Sequence, residues 1–148
     1  MLESVKLNNV HETGKKMVFL VKNYARDIGD LVNMSIYQFF DFVKNLPYMP
    51  DHPKAEIVHR PGYTITNSVK FRDCDDKMVL FGSYLYLKNI VFRFVACSQA
   101  ENYHLSHVLI EAILGGVLTK IDPTYKRNNF KSQDYFTYCE PISEWIIK

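Results

Sequence analysis

The longest apolar run of the chain, residues 78–87, constrains the fold most. It is too short to cross a membrane, which takes about 18 or more apolar residues. Acids stand before it: Asp73 suits the N-cap of a helix, and Asp75 and Asp76 suit the positive end of the helix dipole. The run therefore predicts a major helix over residues 73–87, with Cys74 at its first helical position.

The segments on either side of this helix complete an α+β pattern. Apolar residues recur every three or four positions over 13–44, which is a helical period that Gly29 or residues 33–35 can break. Prolines end it, and residues 51–70 are expected to be loop with a short helical turn. Residues 90–97 and 105–113 are rich in β-branched and aromatic residues, and residues 117–121 form the return strand of a hairpin.

Length and composition are those of one globular domain over residues 1–148. The chain is 47% hydrophobic and 23% charged, and its formal charge of +2 is too small to indicate nucleic-acid binding. The N-terminus lacks an apolar segment, so we expect no secretory signal. The aromatic tail, residues 126–148, is expected to dock on the core, although no element can be assigned to it.

The cysteines predict a thiol protein and not a disulfide scaffold. There are three, Cys74, Cys97 and Cys139, so they cannot all pair within the chain, and a reducing compartment is expected. Cys97 is expected in the core, and Cys139 either in the core or exposed. His104 and His107 could join Cys74 or Cys139 in binding zinc, but the usual ligand spacings are absent. We therefore expect neither a metal nor a cofactor.

Cys74, His107 and Asp122 are the residues that can carry chemistry. A two-residue turn at Leu114-Gly115 places His107 directly opposite Asp122, and a turn at Gly115-Gly116 makes them diagonal neighbours on one face. A three-residue turn puts them on opposite faces unless a bulge intervenes. In two of these registers Asp122 can orient His107, as the third group of a nucleophile–base–orienter triad does.

The acids around Cys74 oppose its activation. Asp73, Asp75 and Asp76 raise the pKa of a neighbouring thiol, and the helix dipole contributes only about 0.3–1 kcal/mol. We therefore predict an ion pair between Cys74 and His107. The plainer interpretation is that Cys74 is a small buried hydrophobe and that the acids cap a helix.

Three motifs in order carry a family resemblance. Phe71-Arg-Asp-Cys-Asp-Asp-Lys-Met-Val-Leu-Phe, then Leu105-Ser-His-Val-Leu-Ile-Glu, then Ile121-Asp-Pro-Thr resemble the transglutaminase-like superfamily. Its pattern is a Gly-Asp-Cys-Asp/Glu-Asp segment opening a helix, a Ser-His-Val or His-Ala-Trp strand and an Asp-Pro-Thr strand end. Residues 43–51 are also similar to the segment upstream of that family's cysteine, so the resemblance covers residues 36–125.

The resemblance implies a papain-like core with Cys74 as nucleophile, His107 as general base and acid, and Asp122 as the orienting group. It implies cleavage of amide bonds, or acyl transfer from them, through a thioester on a protein or peptide substrate. Many microbial relatives are proteases or amidases. Short relatives are often encoded by bacteriophages among virion-assembly genes, which implies the host cytoplasm or the virion as location.

This chain departs from the family pattern where Arg72 replaces the glycine before the Asp-Cys pair. The backbone N–H of Cys74 is the first candidate for an oxyanion donor, and Tyr48 and Asn67 are candidates for a second. His104 is a candidate substrate contact. The alternative function is a non-catalytic structural or assembly protein of a phage virion with the same fold. Neither nucleic acid nor membrane is an expected partner, and the oligomeric state stays open.

Overall fold

The computed structural model describes residues 2–49, 58–66, 72–98, 105 and 107–148. The described chain combines helices with one antiparallel sheet of four strands in the order β3-β2-β1-β4. The helices are α1 (Leu2–Tyr24), α2 (Ile36–Asn45), α3 (Pro61–Ile65) and α4 (Cys74–Leu87), and the strands are β1 (Phe92–Ser98), β2 (His107–Leu114), β3 (Val117–Ile121) and β4 (Tyr138–Pro141). In the described part of the chain, no helix has the length and apolar character needed to span a bilayer.

The predicted N-terminal helical segment is divided where the sequence allowed a break. A 3-10 helix, Ala25–Asn33, follows α1, and α2 starts anew after Ser35. Ser35 accepts a hydrogen bond from the backbone N–H of Gln38, whose side chain accepts one from the Ser35 N–H. This reciprocal cap satisfies two donors that a helix start otherwise leaves without partners, so it fixes where α2 begins.

Helix α4 begins at the residue that the acids predicted. The side chain of Asp73 accepts from the backbone N–H of Asp76, and the Asp76 side chain accepts from the N–H of Asp73. Every residue of α4 from Cys74 to Leu85 is buried. The capping box therefore sets the position of Cys74 at the first turn of a helix that the core encloses.

The two faces of the sheet have different coverings. Alternate residues of β1 and β2, such as Phe94 and Ile110, belong to the main core together with α4. The residues between them, Val95, Cys97 and Leu109, form a second cluster, against which Phe136 of the tail packs. His107 is paired with Cys97 across β1 and β2 and so shares the tail-covered face.

The tail completes the sheet, which the sequence did not predict. Strand β4 pairs with β1, and Ile146 makes a further backbone bridge to Phe92. This register places Cys139 directly beside Cys97, and the two sulfurs are bonded, 2.09 Å apart. One cysteine, Cys74, is left unpaired, as the odd count required, but the bond between Cys97 and Cys139 was not predicted. Strand β4 shows no strand pattern of its own, so the neighbour of Cys97 could not be inferred.

Candidate active site

The hairpin between β2 and β3 sets the relation between His107 and Asp122. Leu114 pairs with Val117, so the turn consists of Gly115 and Gly116. Both have positive φ, 56° and 80°, as two-residue hairpin turns of type I′ require. This is the register that makes His107 and Asp122 diagonal neighbours on one face.

His107 and Asp122 are in direct contact. The Nε2 atom of His107 lies 2.7 Å from Oδ2 of Asp122, and both side chains are largely buried. Because an ionised carboxylate only accepts hydrogen bonds, Nε2 carries the proton and donates it to Asp122. Nδ1 is then the ring nitrogen left to exchange a proton with a thiol.

Several groups hold Asp122 in place. Its second oxygen, Oδ1, accepts hydrogen bonds from the hydroxyl of Thr124 at 2.6 Å and from the Thr124 N–H at 3.2 Å. The backbone N–H of Asp122 donates to the side chain of Gln133, and the Asp122 carbonyl accepts from Asn128 at 3.0 Å. The Asp122 carboxylate is thereby aimed at His107 by the segment that follows β3.

Cys74 lies beside the strand that carries His107, but its thiol is not bonded to the imidazole. Among the described residues its sulfur accepts from the backbone N–H of Val108, the residue after His107, and donates to Oδ1 of Asp75 at 3.7 Å. The structure thus brings His107 and Asp122 together and places Cys74 next to the adjoining backbone.

The surroundings of Cys74 keep it protonated. Burial raises the pKa of the Cys74 thiol well above its ordinary value, and the negative charges of Asp75 and Asp73 raise it further, against the opposing effect of the Val108 N–H. Of the three acids predicted to raise this pKa, Asp75 and Asp73 do so, and Asp122 adds to their effect. The predicted ion pair with His107 is not the arrangement present, because the thiol keeps its proton and directs it towards Asp75.

Aromatic side chains flank the histidine. The rings of Phe136 and Tyr125 lie nearly parallel to the His107 ring, with centroids 4.8 Å and 5.9 Å away. Tyr48 contacts Tyr125, and burial together with the nearby acidic groups of Cys74 and Tyr125 raises the Tyr48 pKa. Tyr48 therefore keeps its phenol proton and donates it to the hydroxyl of Tyr125.

Arg72, which precedes the Asp73-Cys74 pair, has a structural role. It is buried, and its guanidinium donates to the carbonyls of Thr64, Thr66 and Pro47 at 2.8, 3.1 and 3.2 Å. Its backbone also pairs with Met49. The Arg72 side chain is thus directed into the loops on either side and ties them to the start of α4.

Two of the predicted site residues, Asn67 and His104, lie outside the described residues. His104 was also a member of the zinc hypothesis, and the other sulfur it invoked, that of Cys139, is engaged with Cys97. Within the described ranges, no group of three or more histidine, cysteine or acidic side chains is placed to hold a metal ion.

Sequence reasoning missed several residues of the site. Thr124 had a local signal, because an Asp-x-Thr segment favours a turn in which the aspartate oxygen accepts from the backbone two residues on. Lys77 had a weaker one, as the only basic residue of α4. Gln133, Asn128 and Phe136 had none, since their partners lie in distant segments.

The chain was compared with protein-family models, curated proteins and solved structures, and none of the three comparisons gives a match.

Proposed function

We propose that this protein is a cysteine-dependent amide hydrolase or acyl transferase of the transglutaminase-like type. The observation that carries the proposal is the 2.7 Å contact between His107 and Asp122, made by two motifs 15 residues apart, beside the helix that begins with Cys74. A papain-like core, in which a cysteine-bearing helix packs on an antiparallel sheet bearing the histidine and aspartate, is part of the same proposal. Protein or peptide substrates and a phage virion context come with the resemblance.

In the proposed reaction the thiol acts through general-base catalysis. The Cys74 side chain leaves Asp75 and the Val108 N–H and reaches past the start of β2 to His107, which belongs to the other face of the sheet. Nδ1 of His107 then takes the thiol proton as sulfur attacks the carbonyl carbon of an amide. The imidazolium that forms is stabilised by Asp122. The C–N bond then breaks, the leaving amine takes the proton from Nδ1, and a thioester remains on Cys74. Water or a second amine releases the acyl group by the reverse sequence.

The developing oxyanion needs hydrogen-bond donors. The backbone N–H of Cys74 is at the N-terminus of α4, where the helix dipole also favours negative charge. In this proposal Tyr48 is the second donor, and it turns its hydroxyl from Tyr125, to which it donates in the resting site, towards the oxyanion. Loss of one such donor typically lowers kcat by about 10²–10³-fold.

Direct assays test the proposal. Purified protein is incubated with a labelled peptide mixture, with and without a primary amine, and the products and any acyl-enzyme on Cys74 are identified by mass spectrometry. We expect cleavage or amine incorporation that is lost in Cys74→Ala and His107→Ala. The pH profile of Cys74 alkylation supplies the second test: identical profiles in the parent and in His107→Ala would remove the catalytic pairing.

A structural or assembly protein of a virion is the second candidate. The resting state of the thiol favours it, because Cys74 is only 7% exposed and donates to Asp75. A cavity of about 500 Å³ lies elsewhere, between α1 and residues 141–146, and neither Cys74 nor His107 lines it. Absence of turnover together with slow alkylation that does not depend on His107 would support this candidate.

The cytoplasm of a host cell is the location that comes with the resemblance. A host cytoplasm is reducing and would keep Cys97 and Cys139 as thiols, whereas the bond between them in the structure is typical of an oxidising environment. The disulfide therefore favours the virion, outside the reducing cytoplasm, as the location of the folded protein. The thiol count of the protein isolated from its native setting tests it.

A further inference from the structure

Lys77 is a buried cation that the proposed reaction does not use. It lies one helical turn after Cys74 on α4, and its exposure is 0%. Lysine is almost never fully buried unless it is paired, because removing an ammonium from water is costly. A lysine at this position therefore needs a structural or functional reason.

The ammonium of Lys77 connects α4 to the turn that carries Asp122. Its Nζ donates to the carbonyl oxygen of Thr124 at 2.7 Å and to the carbonyl of Lys44 at 3.4 Å. Thr124 in turn donates twice to Oδ1 of Asp122, whose other oxygen faces His107. A chain of hydrogen bonds thus leads from the nucleophile helix, through Lys77, to the histidine.

The charges around Lys77 are unbalanced. Burial lowers the pKa of Lys77 to about 8, with the cations Arg72 and Lys126 acting in the same direction and Asp122 acting against them. The negative charge that stabilises the Lys77 ammonium is thus that of Asp122, the carboxylate that orients His107. Its neutral carbonyl partners and Asp122 together retain this cation in the core.

We propose that Lys77 is a positioning residue, which holds the Asp122–Thr124 turn against α4 and thereby sets how His107 meets the Cys74 thiol. The inference rests on the proposed function for its catalytic meaning. Its structural part, that Lys77 orders the Asp122 turn locally, stands on the hydrogen bonds alone.

The test compares Lys77→Met with Ser83→Ala in the full chain. Methionine matches the length of lysine but has neither charge nor donor. Ser83 is also fully buried on α4, yet its hydroxyl donates to the Val79 carbonyl of the same helix at 2.7 Å, so its loss perturbs α4 away from the site. Amide hydrogen exchange reports local order, and the pH profile of Cys74 alkylation reports the alignment of the base.

In Lys77→Met we expect the amides of Asp122 and Thr124 to exchange at least tenfold faster than in the parent, while α4 amides after the first turn keep their protection. Alkylation of Cys74 at neutral pH should fall by about 10–100-fold, as a misplacement near 1 Å can cause. Ser83→Ala should leave the Asp122 and Thr124 amides and the alkylation profile unchanged. A folded Lys77→Met that matches the parent in both measurements overturns the proposal.

A titration of the unmodified protein covers the case in which Lys77→Met does not fold. The carbon shifts of Lys77 Cε, Thr124 C′ and Asp122 Cγ are followed as pH rises through the Lys77 pKa of about 8. We expect one common midpoint. Constant Thr124 and Asp122 shifts during the Lys77 titration overturn the proposal. If parent and His107→Ala alkylate alike, the proposed function fails, and the exchange data still decide whether Lys77 orders the turn.

Discussion

Thr124 engages one carboxylate oxygen of Asp122 twice, through its hydroxyl and its backbone N–H, and so leaves the other oxygen to His107. A carboxylate held in this way cannot rotate without losing two hydrogen bonds. Thr124 therefore helps to hold the carboxylate that orients His107.

Asp122→Asn should preserve the fold and impair the base. An amide of the same shape cannot stabilise an imidazolium as a carboxylate does, and general-base assistance is typically worth about 10²–10⁴-fold. We expect Cys74 alkylation at neutral pH to slow by about that factor, measured with iodoacetamide and peptide mapping. Asp30→Asn, the same change at an exposed position of the 3-10 helix, is the matched control and should alkylate like the parent. Equal rates in both variants would contradict the role of Asp122.

Arg72→Met should destabilise the fold. The substitution leaves the carbonyls of Thr64, Thr66 and Pro47 without their charged donor, and such losses cost about 2–4 kcal/mol of unfolding free energy in a buried setting. Urea unfolding measures it. Arg127→Met removes an exposed pair with Asp134 and should cost under about 1 kcal/mol. A similar loss of unfolding free energy in both variants would show that the buried hydrogen bonds of Arg72 do not stabilise the fold.

The cysteines should differ in availability. Unfolded, non-reduced protein should expose one reactive thiol, Cys74, and the same protein should expose three after reduction. A chromogenic thiol assay in denaturant gives the count. Cys139→Ser should release the thiol of Cys97, so the non-reduced count becomes two. Three thiols without reductant would show that Cys97 and Cys139 are not bonded in the preparation.

Lys77 should make stability rise with pH in the mildly alkaline range. Its folded pKa is lowered to about 8 from the ordinary 10.5, so between these values the unfolded chain binds more protons than the folded one. The free energy of unfolding of the parent, relative to that of Lys77→Met, should rise by about 1 kcal/mol between about pH 7.5 and about pH 9. Urea unfolding of both proteins at each pH measures the difference. A constant difference would show that Lys77 titrates normally in the fold.

The parts of the site that lie within one hairpin or one helix start could be predicted from the sequence. Gly115 and Gly116 restrict the turn to few registers, and Asp73 marks the start of α4, so the positions of His107, Asp122 and Cys74 along their elements follow from local chemistry. The triad as a working unit stays a prediction.

The remainder depends on contacts between distant segments. Strand β4 has four residues and no alternation of buried and exposed positions, so its pairing with β1 is decided by tertiary packing alone. The partners of Gln133, Phe136 and Cys139 were hidden for this reason. The role of Lys77 could not be predicted for a different reason. Its partner on Thr124 is a backbone carbonyl, which every residue type has.

The order of the strands determines when the parts of the site become available during synthesis. Strand β4 is the last along the chain yet lies beside β1, and the residues that support Asp122 and flank His107 come between β3 and β4. On the ribosome, Cys74 therefore emerges well before the groups that surround the histidine. A nascent chain therefore carries the sulfur before Gln133 and Phe136, which support Asp122 and flank His107, have been added.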